Sequence, residues 1–534
     1  MLTNNNIYLK FNLGFKWYSS KSIAVKGYFY VDDVFYEKEE ALKYLDKNLT
    51  HNNRKDIFER LNGVFTILIS EGDHLEMVCD VTRLFPLFYA IKYDVLFVSD
   101  DIQLLKSKIK TNQFDKLSKL EFKVSNHTHS NKTLLKNIFQ LEASKYLIFN
   151  KTNILNNQFL FHYSIKKESS NSFKKLKSEA IQTIESTFLR FLKSINNKTI
   201  LLPLSGGFDS RLLAVFLKKH NYKNVICFTY GRKQNFEVEN SKKTAKQLGY
   251  KWFFIEYSTE LIANFLETNE FLEYAHFAGK YSSMPYLQEY FAVKYLKEEL
   301  NVPNDSIVVP GFAGDFLGGS EYNKVSTNLK TEKIADAILN IKLNNFKVSK
   351  SEKSKLKEVM ENNVRKIDNR YETKIPSTVF EDYVLKERIA KYIFNSASYY
   401  LYFGFEVRFP YWDLELLNFF KELPIQYKKM KKFYDDVLTS EYFEKHKVNF
   451  ENEIQPKSSD LVKQRIKDKI KPLLTDSLKA KILKKHDWNN YEPITKQMLL
   501  QIKQNGLNVN RSYKDYNEII SQWYIYFCEN KLQN

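Results

Sequence analysis

At 534 residues the chain exceeds what one ordinary core serves, so two or three domains are expected. Apolar residues make up 43% and aromatics 15%, enough for packed interiors, yet no run reaches the ~18 uncharged apolar residues of a membrane helix. The net charge of +19 is spread along the chain among Asn, Ile and Tyr, its densest run being Lys428 to Lys432. It reads as solvated surface, not a nucleic-acid footprint. Three cysteines exclude a disulfide framework and form no metal-ligand pair, and the start Met-Leu-Thr-Asn-Asn-Asn lacks the features of a secretory signal. A cytoplasmic setting without membrane insertion is expected.

Residues 1 to about 110 alternate apolar and polar with a strand period, as in Val64 to Ile69, Leu75 to Cys79 and Val95 to Val98, interrupted by a helical pattern from Glu37 to Leu49. Short strands such as Lys145 to Phe149 continue to about 165, and the polar stretch 166–172 marks a domain boundary near residue 170. Phe173, Leu176, Ala180, Ile184 and Phe188 then recur at helical spacing. The strand Thr199 to Leu204, a glycine turn, a helix from Asp209 to about Lys219, the strand Val225 to Tyr230, a helix ending near Gly249 and the strand Trp252 to Ile255 form a βαβαβ run. That order predicts a doubly wound parallel sheet. From about 330 onward the pattern is mostly helical.

Ser205-Gly206-Gly207 joins a buried strand to a helix start, where glycines bring several N–H groups close to a ligand and the helix adds partial positive charge. A phosphate is the natural occupant, with Ser205 and Ser210 as hydroxyl donors. Asp209 is the informative residue, because an acid at a phosphate site makes sense only with a metal between them; Mg²⁺ bridged by carboxylate and phosphates is expected.

The whole string Ser205-Gly206-Gly207-Phe208-Asp209-Ser210 resembles the pyrophosphate loop of the N-type ATP pyrophosphatases and lacks the Gly-Lys-Ser/Thr ending of a Walker loop. Three more segments resemble the asparagine synthetase family, β-lactam synthetase included: Cys227 to Gly231 with Glu237 to Glu239 and Ala245 to Gly249; Val308 to Gly319; and Gly404 to Asp413, similar to that family's Glu-x-Arg-x-Pro-Phe-x-Asp segment. The resemblance implies an α/β ATP-pyrophosphatase domain over 171–534. Leu204, Ser205, Gly206, Gly207, Ser210 and Gly311 would contact ATP or pyrophosphate, Phe228, Thr229, Tyr230 and Gly231 would hold adenine through the main chain, and Asp209 and Asp315 would hold Mg²⁺. A lysine usually completes such a site, with Lys457 and Lys432 as candidates. Phe312 stands where the family has Glu or Tyr, so proton acceptance either passes elsewhere, with Glu381, Glu387 and Tyr322 as candidate substitutes, or is not needed. Phe316 replaces a second acid and makes the pocket more apolar.

Leu61 to Phe65, Asp80 to Tyr89 and Phe97 to Asp100 look like the core strands of a class II glutamine amidotransferase domain, implying an Ntn-hydrolase-like β-rich sandwich over 1–170. That chemistry needs a cysteine exposed as the mature N-terminus. Here residues 2 and 3 are Leu and Thr, Cys79 reads as a buried packing residue, and Lys26-Gly27-Tyr28 stands where the oxyanion segment belongs. The expected function is ATP-dependent, AMP-forming ligation of a small-molecule carboxylic acid to ammonia or an amine, without glutaminase activity of its own; a separate glutaminase could supply the ammonia. The Pro-x-Trp-Asp variant resembles proteins of surface-polysaccharide or natural-product assembly. A tRNA-modifying pyrophosphatase, a peptide macrolactam cyclase and a catalytically impaired scaffold are the alternatives.

Overall fold

The computed structural model describes the chain apart from residues 1–3, 234–235, 324, 326–327, 368–370, 451–475, 510–512, 514 and 533–534. Leu2, Thr3 and Lys457, singled out above, lie outside the described residues.

The N-terminal strands are, in chain order, Ile7–Tyr8 (β1), Trp17–Ser19 (β2), Ile23–Val31 (β3), Val34–Glu37 (β4), Asn62–Glu71 (β5), His74–Cys79 (β6), Phe88–Lys92 (β7), Val95–Ser99 (β8), Phe139–Gln140 (β9), Lys145–Asn150 (β10) and Asn153–Phe159 (β11). They form two sheets, one in the order β1-β8-β7-β9 and the other β11-β10-β6-β5-β3-β2, with β4 also paired to β3. Leu68, Met77 and Cys79 from the larger sheet meet Tyr89 and Val98 from the smaller, so the sheets stack face to face. The alternation noted in the sequence produces this, since successive side chains point to opposite faces. The larger sheet's other face is covered by helices Lys38–Asn48 (α1) and Arg54–Arg60 (α2), whose Ala41, Leu45, Ile57 and Phe58 pack on Phe29, Phe65 and Ile67. Helix Ile102–Ile109 (α3) packs on β7 and β8 and is capped by Asp101, which accepts N–H bonds from Gln103 and Leu104. Helix Lys116–Ser125 (α4) follows.

Helix Phe173–Ile195 (α5) begins at the capping Ser172 and buries Leu176, Ala180, Ile184 and Phe188, the stripe read from the sequence. The central sheet has five strands: Ile200–Pro203 (β12), Val225–Gly231 (β13), Lys251–Glu256 (β14), Ile307–Val308 (β15) and Glu406–Val407 (β16). All pairs are parallel and the order is β14-β13-β12-β15-β16. The chain moves outward from β12 through helices Phe208–Lys219 (α6) and Phe236–Leu248 (α7), then returns through helices Asn269–Gly279 (α8) and Tyr290–Glu298 (α9) to β15 on the other side. The direction of winding reverses between β12 and β15. A crevice opens beyond the carboxyl ends of strands at such a reversal, the usual ligand position in open α/β sheets. Apart from β16, the described elements after residue 330 are helical. Among the described residues, no helix is long and apolar enough to cross a membrane.

The two regions meet at Arg408. Its buried guanidinium donates to Glu37 Oε2 at 2.8 Å and Glu406 Oε2 at 3.1 Å and lies over the Tyr28 ring at 4.4 Å. Leu414 N–H donates to Asn62 Oδ1 at 2.9 Å, and Phe409 N–H to the Tyr28 hydroxyl at 3.3 Å.

Candidate nucleotide site

After β12 the chain turns through Ser205-Gly206-Gly207 into α6, which starts at Phe208 with Gly207 as its cap. The Ser205 and Ser210 hydroxyls are 3.1 Å apart, Ser205 N–H donates to Ser210 Oγ at 3.1 Å, and Gly207 N–H donates to Ser205 Oγ at 3.1 Å. Buried Arg211 braces the turn from below, donating to Gly206 O at 2.6 Å and Val448 O at 3.2 Å. The result is a tight loop at a helix N-terminus, which suits an oxyanion.

The second loop follows β15 and meets the first. A side chain at Gly311 would place its Cβ 2.8 Å from Ser210 N, and one at Gly314 would sit 2.7 Å from Asp209 Cγ and 2.9 Å from both carboxylate oxygens. Glycine is required at both positions for this approach. Gly314 opens the short helix Gly314–Leu317 (α10) after Ala313, whose φ of 53° turns the chain. Asp315 N–H then donates to Asp209 Oδ2 at 2.9 Å. Buried Tyr434 donates its hydroxyl to Asp209 Oδ1 at 2.9 Å, and buried Tyr411 donates to Asp209 O at 2.6 Å. Burial, and then the charge of Asp315, push the Asp209 carboxyl up to about 7. Two acids held against their own repulsion beside a phosphate-type loop form a donor set suited to a hard divalent cation.

Both aspartates line a cavity of about 320 Å³, within the size range of small-ligand pockets. Leu204, Ser205, Gly207, Ser210, Phe228, Thr229, Tyr230 and Gly311 line it as well. Two residues expected at the ligand do not. Gly206 is buried, with its would-be Cβ 3.1 Å from Glu237 Cα, and Gly231 sits beneath Trp488, whose carbonyl would lie 2.4 Å from an added Cβ. Lys432 is exposed and does not line the cavity; its neighbour Lys431 does, with Nζ 3.3 Å from Asp435 Oδ1. Met430 and Lys431 have φ of 58° and 54°, and this left-handed turn decides which lysine enters.

The acids and phenylalanines are redistributed too. Phe312 lines the cavity and stacks near Tyr400 and Phe409, while Trp412 Nε1 donates to its carbonyl at 2.9 Å. Phe316 does not make the pocket more apolar: one turn of α10 carries it into the core between Tyr163 and Trp412. Glu381 is buried against the Tyr322 hydroxyl at 2.7 Å and Lys428 at 3.2 Å, and Glu387 against Lys391 at 2.7 Å, so none of Glu381, Glu387 and Tyr322 reaches the cavity. Among the described residues, the acids that do reach it besides the aspartates are Glu237 and Glu289. Helix amphipathicity gave Glu237 no distinction, and Glu289 lies in an ordinary apolar run before α9.

Residues 199–281 match the family model described as Queuosine biosynthesis protein QueC. The matched stretch contains the Ser205–Ser210 loop and the two parallel strands β12 and β13 beside it. The match runs from the start of β12 past α8 and ends before Asp315. No curated protein matches the chain. Among solved structures, an NH3-dependent NAD synthetase from Campylobacter jejuni, in complex with nitrate, is 15% identical, covering 37% of this chain and 96% of its own, with a TM-score of 0.19. An NMN synthetase from Francisella tularensis is 11% identical, covering 49% and 97%, with a TM-score of 0.16.

In the N-terminal sheets, Cys79 is buried and its thiol is pushed far up by burial, so it is a packing residue and no nucleophile. Lys26 is buried, donates to Phe11 O at 2.6 Å and is lowered to about 8 by burial. Gly27, at φ 104°, passes so close to β5 that a Cβ would meet Val64 O at 2.0 Å.

Proposed function

We propose that this chain is an ATP-dependent, AMP-forming ligase of the asparagine-synthetase type, which adenylates a substrate carboxylate and passes it to ammonia or an amine. The observation that carries this reading is the convergence of two loops, from adjacent parallel strands, that bring Asp209 and Asp315 together on a cavity at the sheet's winding reversal. In this reading the Ser205–Ser210 loop receives the pyrophosphate moiety, Phe228 to Tyr230 border adenine, and Lys431 faces phosphate in place of Lys432. Asp209 and Asp315 would hold Mg²⁺, which neutralises triphosphate charge when bound. A carboxylate oxygen attacks the α-phosphorus and pyrophosphate leaves; an amine nitrogen then attacks the acyl carbon, the bond to AMP breaks and an amide results. The loops contribute positioning and preorganised charge.

Residues 171–534 form the synthetase unit in this reading, and residues 1–170 a glutaminase-like scaffold without its nucleophile, acting in the cytoplasm. Its setting would be the amidation of a sugar acid or amino acid in surface-polysaccharide or natural-product assembly. The test is acid-dependent exchange of labelled pyrophosphate into ATP across a panel of amino acids and uronic acids. Exchange is expected with at least one acid and is expected to vanish in Asp209→Ala; exchange that survives that substitution refutes the reading. Added glutamine is expected to yield no glutamate.

A further inference from the structure

Resting on the ligase reading above, the geometry points to a role for Glu289: we infer that it is the recognition residue for a protonated amine, carried either by the acid being activated or by the nucleophile that displaces AMP, which in that case passes one proton to the Glu289 carboxylate before its freed nitrogen attacks. Glu289 precedes α9 as its cap residue, yet its side chain makes no capping bond. The carboxylate is instead turned to the cavity wall, where Tyr230 donates its hydroxyl to Oε1 at 3.1 Å and Tyr400 donates to Oε2. Gln288 holds the Tyr230 hydroxyl in place, donating at 3.0 Å. The residue is only 5% exposed, and among the described residues no lysine, arginine or histidine forms an ion pair with it. Burial pushes its carboxyl up to about 7.

A buried carboxylate with two hydroxyl donors and no cation is costly unless a ligand completes it. After the two hydroxyl bonds, each oxygen still has a lone pair free for an N–H donor. The charge distribution makes the partner cationic. Among the described residues, four carboxylates and Lys431 are the charged groups of the cavity wall, and Asp209, Asp315 and Lys431 belong to the phosphate end. Among the described residues, no cation of the cavity wall outside the phosphate end would pair with a second substrate carboxylate. A dicarboxylic acid such as aspartate is therefore disfavoured here, and an ammonium group is matched. Tyr400 also stacks on Phe312, its ring centroid 6.2 Å away, so the carboxylate is reached from the wall that borders the second loop.

The test compares wild type with Glu289→Gln, using glycine, L-lysine and L-aspartate against glycolate, L-malate and D-galacturonate in pyrophosphate exchange, and methylamine and ammonium as nucleophiles in amide formation. If the amine sits on the acid, wild type favours amino acids, and Glu289→Gln raises their KM by about 30-fold while leaving amine-free acids unaffected. If the amine is the nucleophile, exchange persists and methylamine-dependent amide formation falls by about 30-fold, with its pH dependence flattened. Tyr400→Phe, which keeps the carboxylate and removes one donor, should shift the same parameter by about 10-fold or less. Equal behaviour of wild type and Glu289→Gln in both assays overturns the inference, as does a Glu289→Gln defect confined to Mg-ATP binding. Absence of exchange in wild type with every acid overturns the ligase reading itself.

Discussion

Replacing Asp209 with Asn separates the acid's charge from its shape. The amide keeps one oxygen for Asp315 N–H, and the Tyr434 hydroxyl can rotate to accept from the new NH₂, so the packing around Gly314 is retained. What disappears is the charge that burial and Asp315 oppose. The carboxyl is lifted from 3.8 to about 7, and at ~1.4 kcal/mol per pKa unit the ceiling is about 4 kcal/mol. Asp209 is partly open to the cavity, and screening there reduces the figure to about 1–2 kcal/mol. The sign follows from proton binding. Between the unfolded value near 4 and about 7 the native protein holds the proton more tightly than the unfolded chain, so wild-type stability falls as pH rises through that window. Asp209→Asn lacks that fall. Thermal unfolding in EDTA should give matching curves near about pH 3.5, below the unfolded value, and a more stable variant near about pH 8. Mg-ATP at a hundredfold excess over Kd should add about 2.7 kcal/mol to wild type and little to the variant. A variant less stable than wild type near about pH 8 in EDTA, or equally stabilised by Mg-ATP, refutes the reasoning.

Gly314→Ala should reduce pyrophosphate exchange by about 100-fold by displacing Asp209, while thermal unfolding moves by no more than about 1 kcal/mol because alanine suits the helical backbone of α10. Lys431→Met should weaken ATP binding by about 10-fold in calorimetry and Lys432→Met should leave it unchanged, since only the former lines the cavity. Arg408→Met removes the buried one of the two cations that Glu37 and Glu406 share, leaving the half-exposed Lys38, and should lower thermal stability by about 2–4 kcal/mol.

The phosphate loop was legible because its chemistry is contiguous: Ser205 to Ser210 supply donors, turn and acid in one stretch, and the flanking apolar runs predicted the parallel sheet on which they sit. Asp315 was legible because the glycines that let it approach Asp209 are its chain neighbours. Lys431 was not, because two non-glycine residues in left-handed conformation choose it over Lys432, and their local sequence carries no glycine or asparagine to announce the turn. Phe316 was misplaced for a similar reason: adjacency to Asp315 says nothing about which way a single helical turn points each side chain. Gly231 and Glu289 depend on distant partners, Trp488 and Tyr400, which only the tertiary fold brings near.

Arg408 also makes the two halves hard to divide by truncation. It draws one counter-charge from the strand edge at Glu37 and another from Glu406, while its neighbours Tyr411 and Trp412 hold the backbone carbonyls of Asp209 and Phe312. Excising the first 170 residues would strip that guanidinium of Glu37 and of the Tyr28 ring beneath it, a few residues from the side chains that brace the two loops. The N-terminal strands thus act as a splint for the segment that braces the two loops.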